Sequence, residues 1–147
     1  MNDEGSHARA WLAKAESDRL AARRLLAAGG PFDAVCFHAQ QACEKALKAV
    51  LASAGTEIPR THNLEELQVS SVKLLPASAA SILGSLDLSE LTPYAVEIRY
   101  DAEFWPDRDT ADAAVACADR VADLISAWLV ETVRSDPQEP EDDHDRS

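Results

Sequence analysis

Apolar residues recur along this chain at three- and four-residue steps, the period of one face of an α-helix, and nowhere do Val, Ile and Thr alternate with polar residues as in a strand. The clearest segment is residues 37–51. There Cys36, Ala39, Cys43, Ala46 and Val50 keep the helical period, while His38, Gln41, Lys45 and Lys48 fall on a polar stripe. Small residues on the packing face predict close approach by neighbouring backbones. Glu44 stands four residues before Lys48, the order in which a helical ion pair adds roughly 0.3–0.5 kcal/mol. Ahead of this segment, Ser6 is the candidate N-cap of a first helix reaching about Ala28. Its stripe is Ala8, Trp11, Leu12, Ala15, Ala22, Leu25 and Leu26, broken once by Asp18 and Arg19. Gly29-Gly30-Pro31 closes that helix and opens the next, and so short a joint predicts an antiparallel pair. The second helix is predicted to end near Ser53-Ala54-Gly55, with Pro59 barring its continuation.

Beyond that joint the pattern restarts at Thr61-His62-Asn63-Leu64, with Asn63 and Glu66 spaced as a capping box, and predicts a short third helix to Val72. Pro76, Gly84 and several serines interrupt residues 73–91, which read as one or two short helical turns over the core. A further helical pattern covers about 91–100, with Pro93 at a start position, and Asp101 to Asp109 reads as a loop. In the last helix, about Thr110 to Val133, Ala114, Ala118, Val121, Ile125 and Trp128 advance by alternating fours and threes, the seam of antiparallel bundle packing. The prediction is an all-α, up-and-down antiparallel helical bundle of four to five helices over residues 1–134. Residues 135–147 alternate Pro and acids with almost no apolar residue and read as a disordered acidic tail.

Composition adds limits to this picture. A chain of 147 residues, 46% hydrophobic and 27% charged, suits one soluble domain. No apolar run has membrane-spanning length and the first thirty residues lack the regions of a signal peptide, which predicts a cytoplasmic protein without a membrane partner. The net charge of −12 opposes nonspecific binding to nucleic acid, but the tail accounts for −5 of it and the body for −7, so a local basic site is compatible. Phosphate-loop, dinucleotide-binding, zinc-protease and serine-hydrolase motifs are all absent, and no cofactor is implied. Cys36, His38 and Cys43 come nearest to a soft-metal cluster, but at about 100° per residue His38 points roughly 200° away from Cys36, so the two cysteines read as core thiols and no metal site is expected.

The run Phe37-His38-Ala39-Gln40-Gln41-Ala42-Cys43-Glu44-Lys45-Ala46-Leu47-Lys48-Ala49 resembles the signature helix of the HEPN domain (higher eukaryotes and prokaryotes nucleotide-binding), an aromatic-x-x-x-Gln-Ala-x-Glu-Lys-x-x-Lys pattern. Trp11 to Asp18 resembles the family's first helix, Thr61-His62-Asn63-Leu64 its Thr-His-Asp-Leu turn, and Arg99-Tyr100 its Arg-Tyr-Pro element, all in the family's order. The resemblance covers roughly residues 8–133. It implies a helical bundle, commonly a homodimer of bacterial or archaeal type, often encoded beside a minimal nucleotidyltransferase as a toxin–antitoxin pair.

Many HEPN proteins are metal-independent ribonucleases carrying Arg, four to six residues, then His. The imidazole serves as general base on the ribose hydroxyl and the guanidinium stabilises charge on the phosphate. Here Arg99 is followed at those places by Phe104, Trp105 and Pro106, none of which exchanges a proton. Two readings follow, from different classes. In the first, the chain is a noncatalytic binding module whose His38, Gln41, Lys45, Lys48 and His62, with Arg99 and Tyr100, recognise a nucleotide, an RNA phosphate or a partner protein. In the second, Arg99 works in a ribonuclease with a base supplied by His38 or His62. Against both stands the plain reading of the stripe as a solvated helix face bearing an ion pair.

Overall fold

The second helix, α2 (Phe32–Ser53), is the element on which the others pack, and fourteen of its 22 residues are buried. A computed structural model of the chain describes residues 3–96 and 101–135. In chain order its helices are α1 (Asp3–Ala27), α2, α3 (Leu64–Val72), α4 (Ala77–Gly84), a single 3-10 turn (Thr92–Ala95) and α5 (Arg108–Ser135). Among the described residues 74% are helical and none is in a strand, so the fold is all-α as the periodicity predicts.

Small side chains set the spacing of the long helices. Ala8, Ala15 and Ala22 recur every seven residues on α1 and are at most 1% exposed, and Ala15 and Ala22 share the core with Ala42 and Ala46 of α2, which are fully buried. Such residues lose no rotamer freedom on burial and let two backbones lie close. The Gly29-Gly30 corner turns the chain through positive φ at both glycines, a region an L side chain rarely enters, and α1 and α2 come out antiparallel. Their partners confirm the direction: Trp11 lies over Lys48, while Asp18 meets both Lys45 and His38.

α5 completes the core with Ala111, Ala114, Ala118, Val121 and Ile125 turned inward. It is antiparallel to α1, since Ala8 packs with Leu129 and Arg19 binds Asp119 and Asp123. It is parallel to α2, because Ala52 shares that same cluster with Leu129 at the C-terminal ends of both helices. The intervening crossover holds only short elements, α3, α4 and the 3-10 turn, whose Leu64, Leu67, Leu83, Leu88 and Leu91 close the core. No helix among the described residues is long and apolar enough to cross a membrane.

Several expectations need correction. α1 begins at Asp3, so Ser6 lies inside the helix and caps nothing. Asp18 and Arg19 do not interrupt the packing face: both are buried, at 9% and 8% exposure, and both are paired. The predicted helix at 91–100 is a 3-10 turn over Thr92–Ala95 followed by a turn at Val96, with residues 97–100 outside the described set. The last helix starts at Arg108, because Asp107 Oδ1 accepts from the Thr110 backbone N–H at 2.8 Å and caps it there. Phe104 is half-buried against Tyr94, with ring centroids 5.4 Å apart, Trp128 packs on the core, and Trp105 is 75% exposed. Half of the capping box at α3 is as predicted, the Asn63 side-chain oxygen accepting from the Glu66 N–H at 3.1 Å, but the Asn63 N–H donates to Thr61 Oγ1 at 3.1 Å rather than to Glu66.

Candidate functional site

The polar residues of α2 sort into two clusters, each built round a buried carboxylate. Asp18 comes from α1 and meets α2 at His38 and Lys45, seven residues apart and hence two turns along one line of the helix. His38 Nδ1 lies 2.9 Å from Asp18 Oδ1, and Lys45 Nζ donates to Oδ2 at 2.5 Å. The carboxylate thus has one partner on each oxygen. A buried carboxylate loses several kcal/mol of hydration, and two charge-assisted partners on the facing helix offset that cost.

Arg19 is the next residue on α1, turned about 100° round the helix, so it faces α5 where Asp18 faces α2. Its guanidinium binds Asp119 at 2.6 Å, Asp123 at 2.7 Å and Glu16 at 3.3 Å. Burial opposes this charge, but the hydrogen bonds and attraction of Asp119 and Asp123 outweigh it and hold the group above its ordinary range. The adjacent pair Asp18-Arg19 therefore ties α1 to both other long helices.

The second carboxylate is Glu44, whose side chain is only 4% exposed. Oε2 takes Lys48 Nζ at 3.3 Å, the predicted ion pair, and Oε1 lies 2.6 Å from His62 Nδ1. Gln40, fully buried, donates to Glu44 Oε1 at 3.4 Å and to the His62 carbonyl at 3.2 Å, which anchors the α2–α3 connection on α2. Gln41 donates to Gln40 Oε1 at 2.7 Å. The indole of Trp11 covers Lys48, with Nζ 5.6 Å from the ring centroid, and its own N–H donates to His7 Nε2 at 3.1 Å. The stripe is thus not a solvated face: Lys48 is 7% exposed and Lys45 and His38 are engaged with α1.

Chemically, each cluster offers an imidazole oriented by a carboxylate. With Nδ1 turned to the acid, Nε2 is the ring atom left for a ligand or a proton. His62 is 62% exposed at its side chain and His38 30%. The two lysines bring no spare charge, since each stands against a buried acid. Of the seven residues singled out from the sequence, His38 and Lys45 meet at one carboxylate and Lys48, His62 and Gln41 gather round the other; Arg99 and Tyr100 lie outside the described residues. Asp18, Gln40 and the acids of α5 were missed as site residues. An adjacent acid–base pair inside an apolar stripe, as at Asp18-Arg19, is the signal that could have found them.

Two other features have a different character. Cys36 is buried in the core, and burial first, then the carboxylates of Asp33 and Asp107, push its thiol up to about 11, so it is no nucleophile. A cavity of about 320 Å³ opens between the 87–94 segment and the start of α5, rimmed by Asp87, Glu90, Asp107 and Asp109. Hydrogen bonds from Ser89 and Thr110 hold Asp87 and Asp107 below the usual carboxylate range, so this rim is negative at neutral pH and unsuited to a phosphate. Among the described residues, no group of three His, Cys, Asp or Glu side chains is placed to hold a metal ion.

A bundle of three long helices tied by buried ion pairs, with the signature helix at its centre, defines an all-α domain of the HEPN type. The HEPN domain family model matches residues 8–128, and the chain belongs to that family. The structure is similar to the crystal structure of ST0689, an archaeal HEPN homologue, with a TM-score of 0.55 and 25% identity, covering 83% of this chain and 97% of that one. No curated protein matches the sequence.

Proposed function

We propose that this protein is a noncatalytic HEPN binding module, a cytoplasmic homodimer of a bacterial or archaeal toxin–antitoxin-type pair whose partner is a minimal nucleotidyltransferase. The observation that carries this reading is the neutralisation of the α2 lysines: Lys45 and Lys48 are committed to Asp18 and Glu44. In this reading phosphate capture falls to Arg99, with Tyr100, His38, Gln41 and His62 supplying hydrogen bonds. The positions at which the motif would place its histidine give no general base, since Phe104 packs on Tyr94 and Trp105 is an exposed indole. Such a surface binds without cleaving.

The test pairs binding with cleavage. Arg99→Ala should weaken binding of a nucleotide or of RNA by about 1.5–3 kcal/mol, the range for hydrogen bonds to charged groups. Wild type should leave RNA intact in the presence of a chelator. Absence of binding to a nucleotide, to RNA and to a minimal nucleotidyltransferase would refute the module.

A second reading is favoured by one observation, the carboxylate-oriented imidazoles of His38 and His62. In it the chain is a ribonuclease using Arg99 with a base outside the usual spacing. Cleavage by wild type, lost in Arg99→Ala and in His38→Ala or His62→Ala, would establish it over the first.

A further inference from the structure

The 320 Å³ cavity between the 87–94 segment and the start of α5 carries charge that the fold leaves unanswered. Leu91, Tyr94 and Ala114 are buried and form an apolar wall, while Asp87, Glu90, Asp107 and Asp109 are exposed at the rim. Elsewhere in the bundle the acids meet cations, as Asp18 meets Lys45, Glu44 meets Lys48, and Asp119 and Asp123 meet Arg19. Among the described residues none of the four rim carboxylates has such a partner. Arg108, between Asp107 and Asp109 in sequence, instead places its guanidinium over the Phe32 ring, 5.3 Å from the centroid. The attraction of acids to a helix N-terminus accounts for Asp107 and Asp109 alone. Asp87 and Glu90 come from a different segment, and their convergence on the same opening needs another cause.

The loop leading into α5 displays an indole beside this rim. Trp105, 75% exposed, is the barest of the large hydrophobic side chains among the described residues. The loop that carries it is fixed on both sides. Asp101 turns it, its side chain accepting from the Glu103 N–H and its carbonyl from the Phe104 N–H. Phe104 then packs on Tyr94, a wall residue of the cavity, and Asp107, a rim residue, caps α5. Trp105 therefore stands within about 7 Å of Asp107 along the backbone. A single exposed aliphatic residue is ordinary, but an indole held in place beside unpaired carboxylates has the composition of an interface anchor for a cationic partner.

We propose that the cavity and Trp105 form a docking site for a basic segment of a partner protein, in which one Arg or Lys side chain lies in the cavity and Trp105 packs on the adjoining part of the segment. The methylenes of that side chain rest on Leu91, Tyr94 and Ala114 while its charged head faces the rim carboxylates. Charge selects this occupant. The net charge of −12 steers a basic partner toward the chain, and the rim repels phosphate, so a nucleic acid is excluded here. Length decides between a protein segment and a small cation, because Trp105 stands outside the cavity and adds contact only to a ligand that extends beyond it. A loop already fixed loses little freedom on binding. The site uses none of the residues assigned to nucleotide or RNA binding, so the two readings fail separately.

The test titrates the full chain by calorimetry with a blocked peptide of alternating Gly and Arg, and with the same peptide carrying neutral citrulline in place of Arg. The arginine peptide should bind about tenfold more tightly than its citrulline counterpart. Trp105→Ala should weaken it about thirtyfold, as for an interface anchor. Glu90→Gln combined with Asp109→Asn should weaken it about tenfold. Glu65→Gln combined with Glu66→Gln, which removes two exposed acids of α3, should leave it within about twofold, since those charges lie outside the cavity. Equal binding of the two peptides, equal loss from the two acid pairs, or no binding at millimolar peptide would overturn the proposal. Spermidine binding as tightly as the arginine peptide, with Trp105→Ala without effect, would overturn the assignment of a protein partner in favour of a small cation.

Discussion

His62 Nδ1 lies 2.6 Å from Glu44 Oε1, so an imidazole that is 62% exposed is held by a carboxylate that is 4% exposed. The contact spans eighteen positions of sequence and fixes the α2–α3 connection to the central helix. Since Glu44 also faces Lys48, the one carboxylate serves a loop, a helix and, through Lys48, the indole of Trp11.

Glu44→Ala should therefore lose about 3–5 kcal/mol in urea unfolding, the range for stripping one partner from a buried pair, because Lys48 is left charged and enclosed. Glu44→Leu combined with Lys48→Met should regain most of that loss. A single-mutant cost under about 1 kcal/mol would show that Lys48 reaches water without Glu44.

Asp18 and Lys45 should couple. In a double-mutant cycle with Asp18→Asn and Lys45→Met, the interaction energy should fall within about 0.5–3 kcal/mol, as for neighbours sharing a polar network. Additive single effects would mean that the 2.5 Å contact contributes nothing to stability.

Stability should fall at alkaline pH. Burial raises Cys36 from 9.0 to about 11, so the unfolded chain releases this proton first. Its contribution is full below pH 9, declines as pH rises, and is lost once pH passes about 11. Urea midpoints measured from pH 7 upward should drop over that window, and Cys36→Ala should drop less.

The two aromatic residues standing where a general base is expected should respond differently to replacement. Trp105→His should change stability by less than about 0.5 kcal/mol, as for an exposed site, while Phe104→His should cost more because its ring packs on Tyr94. If only the base is missing, Trp105→His should also begin to cleave RNA under chelator. Cleavage equal to wild type would place the deficiency beyond that residue.

Deleting residues 136–147 should move the unfolding free energy by no more than about 0.5 kcal/mol, since the segment carries almost no apolar side chain to bury. A drop of several degrees in melting temperature would show the tail docking on the domain.

What the sequence determined by itself is everything governed by neighbours a few residues apart. α2 with its Ala and Cys packing face, the Gly29-Gly30 corner, the Asn63 cap and the inward seam of α5 all depend on helical period, φ preference or a side chain reaching its own backbone. Tertiary structure alone decided the polar residues. Gln40 and Lys48 share one helical pattern with Gln41 and Lys45, yet only the first two are buried, because α1 and the α2–α3 connection lie against one side of that arc. The direction of α5 was settled in the same way. A heptad seam does not by itself fix the direction of its neighbour, and the long crossover of residues 54–107 through α3 and α4 carries the chain back so that α5 lies parallel to α2 and antiparallel to α1. The burial of a charge depends on partners brought from other elements, and a helical period cannot name them.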